Sequence, residues 1–199
     1  MKVSVILAHP DATSFNHAIA SMAVDALRRN RHIVAFHDLY KENFDPLLQS
    51  PEISVGAQLP ADIKLHCDEL TEADGIVIIH PNWWGQPPAI LKGWIDRVIR
   101  PKVAYEFQEG DAGEGVPRGL LKAKTAVVFH TSNTSPEREK NEFGDPLEAL
   151  WKKCIFSLCG VQNVHRRMFG IMVTSTQRQR EEWIEEASAM INACFPPKR

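Results

Sequence analysis

The chain has 199 residues, 44% hydrophobic and 24% charged, with a formal net charge of −2 and a pI near 6.4. That length suits one domain over residues 1–199, able to bury a core without disulfides or metal. The balanced charge excludes a nucleic-acid footprint. No apolar run is long enough to span a bilayer, and the N-terminal one is too short for a secretion signal, so a cytoplasmic protein is expected.

Short β-branched runs alternate with helical patterns along the chain. The first strand is read over "VSVILA", residues 3–8. A helix follows, with Phe15, Ile19, Met22, Ala23, Ala26 and Leu27 at helical spacing on one apolar face. "HIVAFH", residues 32–37, is the second strand, and residues 40–59 form a long loop. The next helix lies in residues 60–73 with Ile63, Cys67 and Leu70 inward. "GIVIIH", residues 75–80, is the third strand. The helix after it carries Ile90, Leu91, Trp94, Ile95, Val98 and Ile99, and its Gly93 marks close helix packing. A second long loop covers residues 101–122, and long loops in a compact domain are usually functional or interface-forming.

"TAVVFH", residues 125–130, is the fourth strand, and residues 130–145 read as a polar loop. A helix then opens on Asp145 as cap, Pro146 at its first position and Glu148 where a capping box wants an acid. "FGIMV", residues 169–173, is the fifth strand, and a last helix starts at Thr176 with Gln179 three residues on. Five strand–helix units, several strands being continuous apolar runs, predict a doubly wound α/β fold with a parallel sheet.

The cysteines, Cys67, Cys154, Cys159 and Cys194, form no CxxC pair, and the eight histidines show no metal-ligand spacing. Reduced thiols and no dedicated metal site are expected. In open α/β sheets ligands bind beyond the carboxyl ends of the strands. Three segments lie there: "HPDATSFN", "HPNWWGQPP" and "HTSNTSPE".

In the first, Thr13, Ser14 and Asn16 bring hydroxyls and an amide to a helix N-terminus. This is either a phosphate site, with free N–H groups and the helix dipole, or a plain cap. The glycine patterns of dinucleotide and P-loop sites are missing. In the second, Trp83 and Trp84 sit in a turn stiffened by Pro81, Pro87 and Pro88 and opened by Gly85. They could hold a planar aromatic ligand or pack in the core or at a subunit interface. The third, by itself, is an ordinary polar loop.

Together these segments resemble the flavodoxin-fold NAD(P)H:quinone oxidoreductases of the DT-diaphorase type, which include the ancillary oxidoreductases of potassium-efflux systems. The residues carrying the resemblance are "LAHPDATSFNHA", "DLYKENFDPLL", "HPNWWGQPPAILKGWIDRVI" with "AYEF", and "LWKKCIFSLCG". The resemblance implies a flavodoxin-like three-layer sandwich with strand order 2-1-3-4-5. It implies FMN or FAD as cofactor, NAD(P)H as co-substrate and two-electron reduction of a small-molecule, quinone-like acceptor. It also implies a homodimer, with a regulatory subunit of a membrane transporter as the alternative role.

By the same resemblance, His9, Ser14, Phe15 and Asn16 are phosphate-binding positions. Pro81, Asn82, Trp83 and Trp84 form the flavin-ring loop, and Thr131, Ser132, Asn133 and Thr134 a second ring-contacting loop. The family's Thr-Thr-Gly-Gly reads "TSNT" here, so Asn133 and Thr134 would replace glycines at positive φ. Phe143 stands at the family's histidine position and no tyrosine occurs between His130 and Trp151. No catalytic side chain is therefore assigned.

Overall fold

The computed structural model describes residues 1–108, 110–111 and 114–197. Among the described residues seven strands and six helices follow in order: β1 (Lys2–Leu7), α1 (Phe15–Arg29), β2 (Ile33–Asp38), α2 (Ala61–Glu72), β3 (Gly75–Pro81), α3 (Ala89–Val98), β4 (Tyr105–Glu106), β5 (Arg118–Gly119), β6 (Thr125–Thr131), α4 (Pro136–Phe143), α5 (Pro146–Glu148, continued as a π-helix over Ala149–Ser157), β7 (Asn163–Phe169) and α6 (Gln177–Cys194). Five strands pair in parallel in the order β2-β1-β3-β6-β7, which is the expected 2-1-3-4-5 order of a flavodoxin-like fold.

The continuous apolar strands divide between two cores because successive side chains point to opposite faces. Val5 and Leu7 of β1, with Val77 and Ile79 of β3, face Ile19, Ala23 and Leu27 of α1 and Trp183, Ala187 and Ile191 of α6. Ile6, Ile76 and Ile78 face the other way, onto Ile63 of α2, Leu91 and Trp94 of α3 and Trp151 of the π-helix. Asp145 and Thr176 cap their helices as read, each side chain accepting from the N–H three residues on.

Three expectations need correction. The fifth strand is Asn163–Phe169 and ends where the apolar run "FGIMV" begins. It is an edge strand whose polar side chains are engaged: Arg166 reaches Glu148 and Arg167 pairs with Glu186. These charges set it apart from the continuous apolar strands of the sheet. Residues 130–145 are not all loop, because α4 forms there. Ser135 accepts from the Arg138 N–H, Pro136 starts the helix, and Gly144 at φ 70° ends it. Within residues 101–122, β4 and β5 pair antiparallel, and residues 109, 112 and 113 of that stretch lie outside the described ones.

Residues 40–59 carry a single described 3₁₀ turn, Ser50–Glu52, and are pinned from within. Arg97 Nε and Nη2 donate to the two Glu52 carboxylate oxygens at 2.9 and 2.6 Å, with both side chains buried. Gly93 is a close-packing site, but against this segment rather than a helix: a Cβ there would lie 2.2 Å from the Pro46 carbonyl oxygen.

Candidate functional site

Beyond the carboxyl ends of β1, β3 and β6 the chain leaves a cleft of about 630 Å³. All twelve residues singled out in the sequence line it: His9, Ser14, Phe15, Asn16, Pro81, Asn82, Trp83, Trp84, Thr131, Ser132, Asn133 and Thr134. Gly85, Arg138, Glu139, Phe143, Pro146 and Met172 complete it.

Ser14 is the N-cap of α1, so one of its two proposed roles is met: its hydroxyl oxygen accepts from the His17 N–H. The N–H groups of Phe15 and Asn16, at the first helical positions, have no acceptor within the helix and carry its positive dipole end. Asn16 is 2% exposed. Its Nδ2 donates to Thr131 Oγ1 at 2.9 Å, while its Oδ1 has no partner. A buried amide oxygen left open beside a helix N-terminus leaves room for a donor from a ligand. Thr13, which the sequence also offered, is turned away: its hydroxyl and N–H both donate to Asp11 Oδ1. Those two bonds hold the Asp11 carboxyl below its ordinary pKa. The His9 imidazole is held below its usual value chiefly by burial. Its Nδ1 accepts from the Asp11 N–H at 3.1 Å.

The tryptophan segment is a tight hairpin. Trp83 and Gln86 exchange both backbone hydrogen bonds at 3.0 Å, and Trp84 and Gly85 between them have φ of 58° and 73°. Two consecutive left-handed residues are the signature of a two-residue turn of the primed kind. Asparagine and glycine favour such positions, whereas a tryptophan there is strained by on the order of 1 kcal/mol. Asn82 secures the turn. Its Oδ1 accepts from the Gly85 N–H at 3.0 Å and its Nδ2 donates to Glu139 Oε1 at 2.9 Å. A Cβ on Gly85 would come within 2.8 Å of the Pro146 ring, so only glycine fits. The Trp84 indole is 102% exposed and Trp83 is 42% exposed. Both stand at the cleft wall rather than in the core.

The third loop is tied down by its neighbours. Asn82 N–H donates to the Thr131 carbonyl, Met172 N–H to that of Ser132, and Val173 N–H to Asn133 Oδ1. Asn133 and Thr134 are absent from the residues with positive φ, so "TSNT" is accommodated without a left-handed turn. Glu139 and Phe143 come from α4, which the composition of that stretch concealed. The Ser-Pro start and glycine stop were the signals that could have revealed it. The Arg138 guanidinium lies 5.5 Å above the Phe143 ring.

Beneath the cleft lies a buried network, in which His130 Nδ1 alone is left without a partner. His80 and His130 stack with ring centroids 5.7 Å apart. His80 Nε2 accepts from Trp151 Nε1 at 3.0 Å and its Nδ1 faces the Pro81 carbonyl at 2.8 Å. Arg166 donates to His130 Nε2 at 2.6 Å, to Glu148 at 2.7 Å and also to Asp145. Burial drives the His80 pKa down to about 4 and that of His130 well below its usual value. Neither can serve as a proton donor near neutral pH. No side chain of the cleft stands out as a general acid.

Away from the cleft, His37, Glu42 and His66 bring possible metal-ligand atoms within 4.8 Å of one another. The donor set argues for hydrogen bonding instead. His66 Nδ1 accepts from Trp94 Nε1 at 3.1 Å, so the neutral ring keeps its proton on Nε2 and offers no lone pair there. His37 Nε2 is bonded to Glu69. The four cysteines are free. Among the described residues no helix is long and apolar enough to cross a membrane.

The model of the family described as having a flavodoxin-like fold matches residues 1–191. The chain belongs to the flavodoxin-like family. An uncharacterized NAD(P)H oxidoreductase of Haemophilus influenzae is 34% identical over 196 residues, covering 95% of this chain and 93% of that one. NAD(P)H dehydrogenase [quinone] 1 of Cavia porcellus is 33% identical over 182 residues, covering 79% of this chain and 64% of its own length. Among solved structures, the NAD(P)H:quinone oxidoreductase from Methanothermobacter marburgensis superposes with a TM-score of 0.80 at 28% identity, covering 97% of this chain and 96% of that one. These relatives place the flavodoxin-like chain among oxidoreductase enzymes.

Proposed function

We propose that this chain binds a flavin, FMN or FAD, in the cleft and acts as an NAD(P)H oxidoreductase that reduces quinone-like acceptors by two electrons. The observation that carries the reading is the meeting of a helix N-terminus, an unpartnered buried Asn16 Oδ1 and a tryptophan-walled turn in one cleft of about 630 Å³. The donor set fits the group: Ser14 and the first N–H groups of α1 suit a phosphate, and the open Asn16 Oδ1 suits a hydroxyl or N–H donor of the same ligand. The hairpin around Trp83 and Trp84 and the loop from Thr131 to Thr134 suit a planar ring between them. A bound flavin would supply hydride acceptance from the reduced nicotinamide and electron transfer to the acceptor.

The chain's own part is to hold and orient. Asn82 and Glu139 fix the hairpin, and Arg166 fixes the segment bearing Pro146. One open side, walled by Trp84 and Phe143, serves the nicotinamide and the acceptor in turn. Initial rates with a quinone and NADH or NADPH should therefore give parallel double-reciprocal lines. Intersecting lines would overturn the shared-face reading.

A homodimer is proposed with it. Leu47, Ile53, Val55 and Val116, on the two long loops, are largely exposed apolar side chains of the sort that isologous interfaces cover. Light scattering that finds a monomer at working concentration would remove this part.

A further inference from the structure

At the mouth of the phosphate end, three side chains form a chain of hydrogen bonds that capping alone does not require. Ser14 Oγ lies 3.0 Å from His17 Nδ1, and His17 Nε2 lies 3.1 Å from Asp38 Oδ2. The His17 and Asp38 side chains are 19% and 12% exposed. Asp38 Oδ1 also accepts from the Lys41 N–H at 3.2 Å. The other groups near His17 are His9, its ring edge-on with centroids 6.3 Å apart, and Asp11.

The proton positions follow from the donors and acceptors. An ionised Asp38 only accepts, so His17 Nε2 carries a proton. In the neutral ring Nδ1 is then a lone pair, and the Ser14 hydroxyl must donate to it. That hydroxyl proton is unavailable to a ligand in the cleft. When His17 takes up a proton, Nδ1–H donates to Ser14 Oγ instead, and the hydroxyl hydrogen is free to turn into the cleft. The cap bond from His17 N–H to Ser14 Oγ survives in both states, so the helix start does not change.

We propose that His17, oriented by Asp38, is a positioning residue that couples proton uptake to recognition of the flavin's phosphate by reversing the Ser14 hydrogen bond. The proposal rests on the flavin reading above. Lower pH then tightens phosphate binding, through the freed hydroxyl and through the added positive charge at the helix N-terminus.

Flavin-free protein titrated with FMN at about pH 5.5 and about pH 8, folded at both by circular dichroism, tests it. The phosphate of FMN itself titrates near pH 6, so the quantity read is the ratio of the His17→Gln dissociation constant to that of the native chain. That ratio should be about tenfold larger at the lower pH, the size of one charge-assisted hydrogen bond. Riboflavin, which has no phosphate, should show no such change. Asp38→Asn gives a second reading. The Lys41 N–H keeps the amide oxygen on its side, so the amide nitrogen faces His17 Nε2 and holds the neutral ring with its proton on Nδ1. This variant should lose the pH-dependent gain relative to His17→Gln. Equal pH dependence in the native chain and His17→Gln, or a riboflavin response matching that of FMN, would overturn the proposal. If FMN fails and FAD binds, FAD is the probe. If FMN, FAD and riboflavin all fail to bind at either pH, the flavin reading falls and takes this proposal with it.

Discussion

His80 and Pro81 are chain neighbours at the end of β3, and His130 and Thr131 at the end of β6. In each pair one residue is sealed beneath the cleft and the other lines it. Alternation along a strand makes the difference. His80 and His130 turn toward Trp151 and Arg166, where each ring accepts a hydrogen bond on Nε2 and His130 Nδ1 is left without a partner. Pro81 and Thr131 turn toward α1, where Asn16 Oδ1 is left without one. The lower layer is sealed away from the cleft, and the upper layer has its open valence, Asn16 Oδ1, on a residue that lines it.

The largest effect should come from breaking the sealed layer. Arg166→Met would leave Asp145, Glu148 and His130 without their shared donor, at a cost of about 2–3 kcal/mol. Chemical denaturation measures it. A loss below about 0.5 kcal/mol would show that the network is ornamental.

Acid attacks the same layer. His80, with a folded pKa of about 4, favours the neutral form in the folded state, as do its neighbour His130 and, away from the cleft, His66. The unfolded chain binds more protons between the usual histidine value near 6.5 and about 4. Stability is therefore complete above that window and is lost as pH falls through it. For His80 alone the loss is on the order of 3 kcal/mol. A melting temperature unchanged between about pH 7 and about pH 5 would contradict this. With flavin saturating, turnover should vary little between about pH 6 and about pH 8, because His80 and His130, the histidines beneath the cleft, are neutral there.

Substitutions in the open layer should spare the fold and weaken binding. Asn16→Ala should raise the flavin dissociation constant up to about tenfold, by roughly 0.5–1.5 kcal/mol for the lost hydrogen bond to its amide oxygen. An unchanged constant, measured by fluorescence titration, would mean the helix start is only a cap. Trp84→Ala should change stability by less than about 0.5 kcal/mol, since the indole touches little and the strained φ is no worse for alanine. It should still slow both half-reactions. Stopped-flow traces matching the native chain would assign the exposed indole elsewhere.

The sequence exposed the open layer because its signals are local. Proline, glycine and paired tryptophans mark the hairpin, and Ser14 marks the start of α1. The alternation of apolar strands and helices fixed where the loops must converge. Other features depend on partners distant in sequence. β7 is hard to see in the sequence because Arg166 and Arg167 look like surface charges until Glu148 and Glu186 are brought to them. α4 is hidden because its eight residues carry almost no apolar face, and only its caps announce it. The meeting of His17 with Asp38 spans 21 residues and joins α1 to β2, so no motif could show it.

The central claim is that the open layer holds a flavin. The most direct test is the visible absorption spectrum of the purified chain, with FMN and FAD added separately if it is colourless. A yellow protein, or saturable binding of either flavin at micromolar concentration that Asn16→Ala weakens, is the predicted result. A colourless protein that binds neither flavin at that concentration would contradict it.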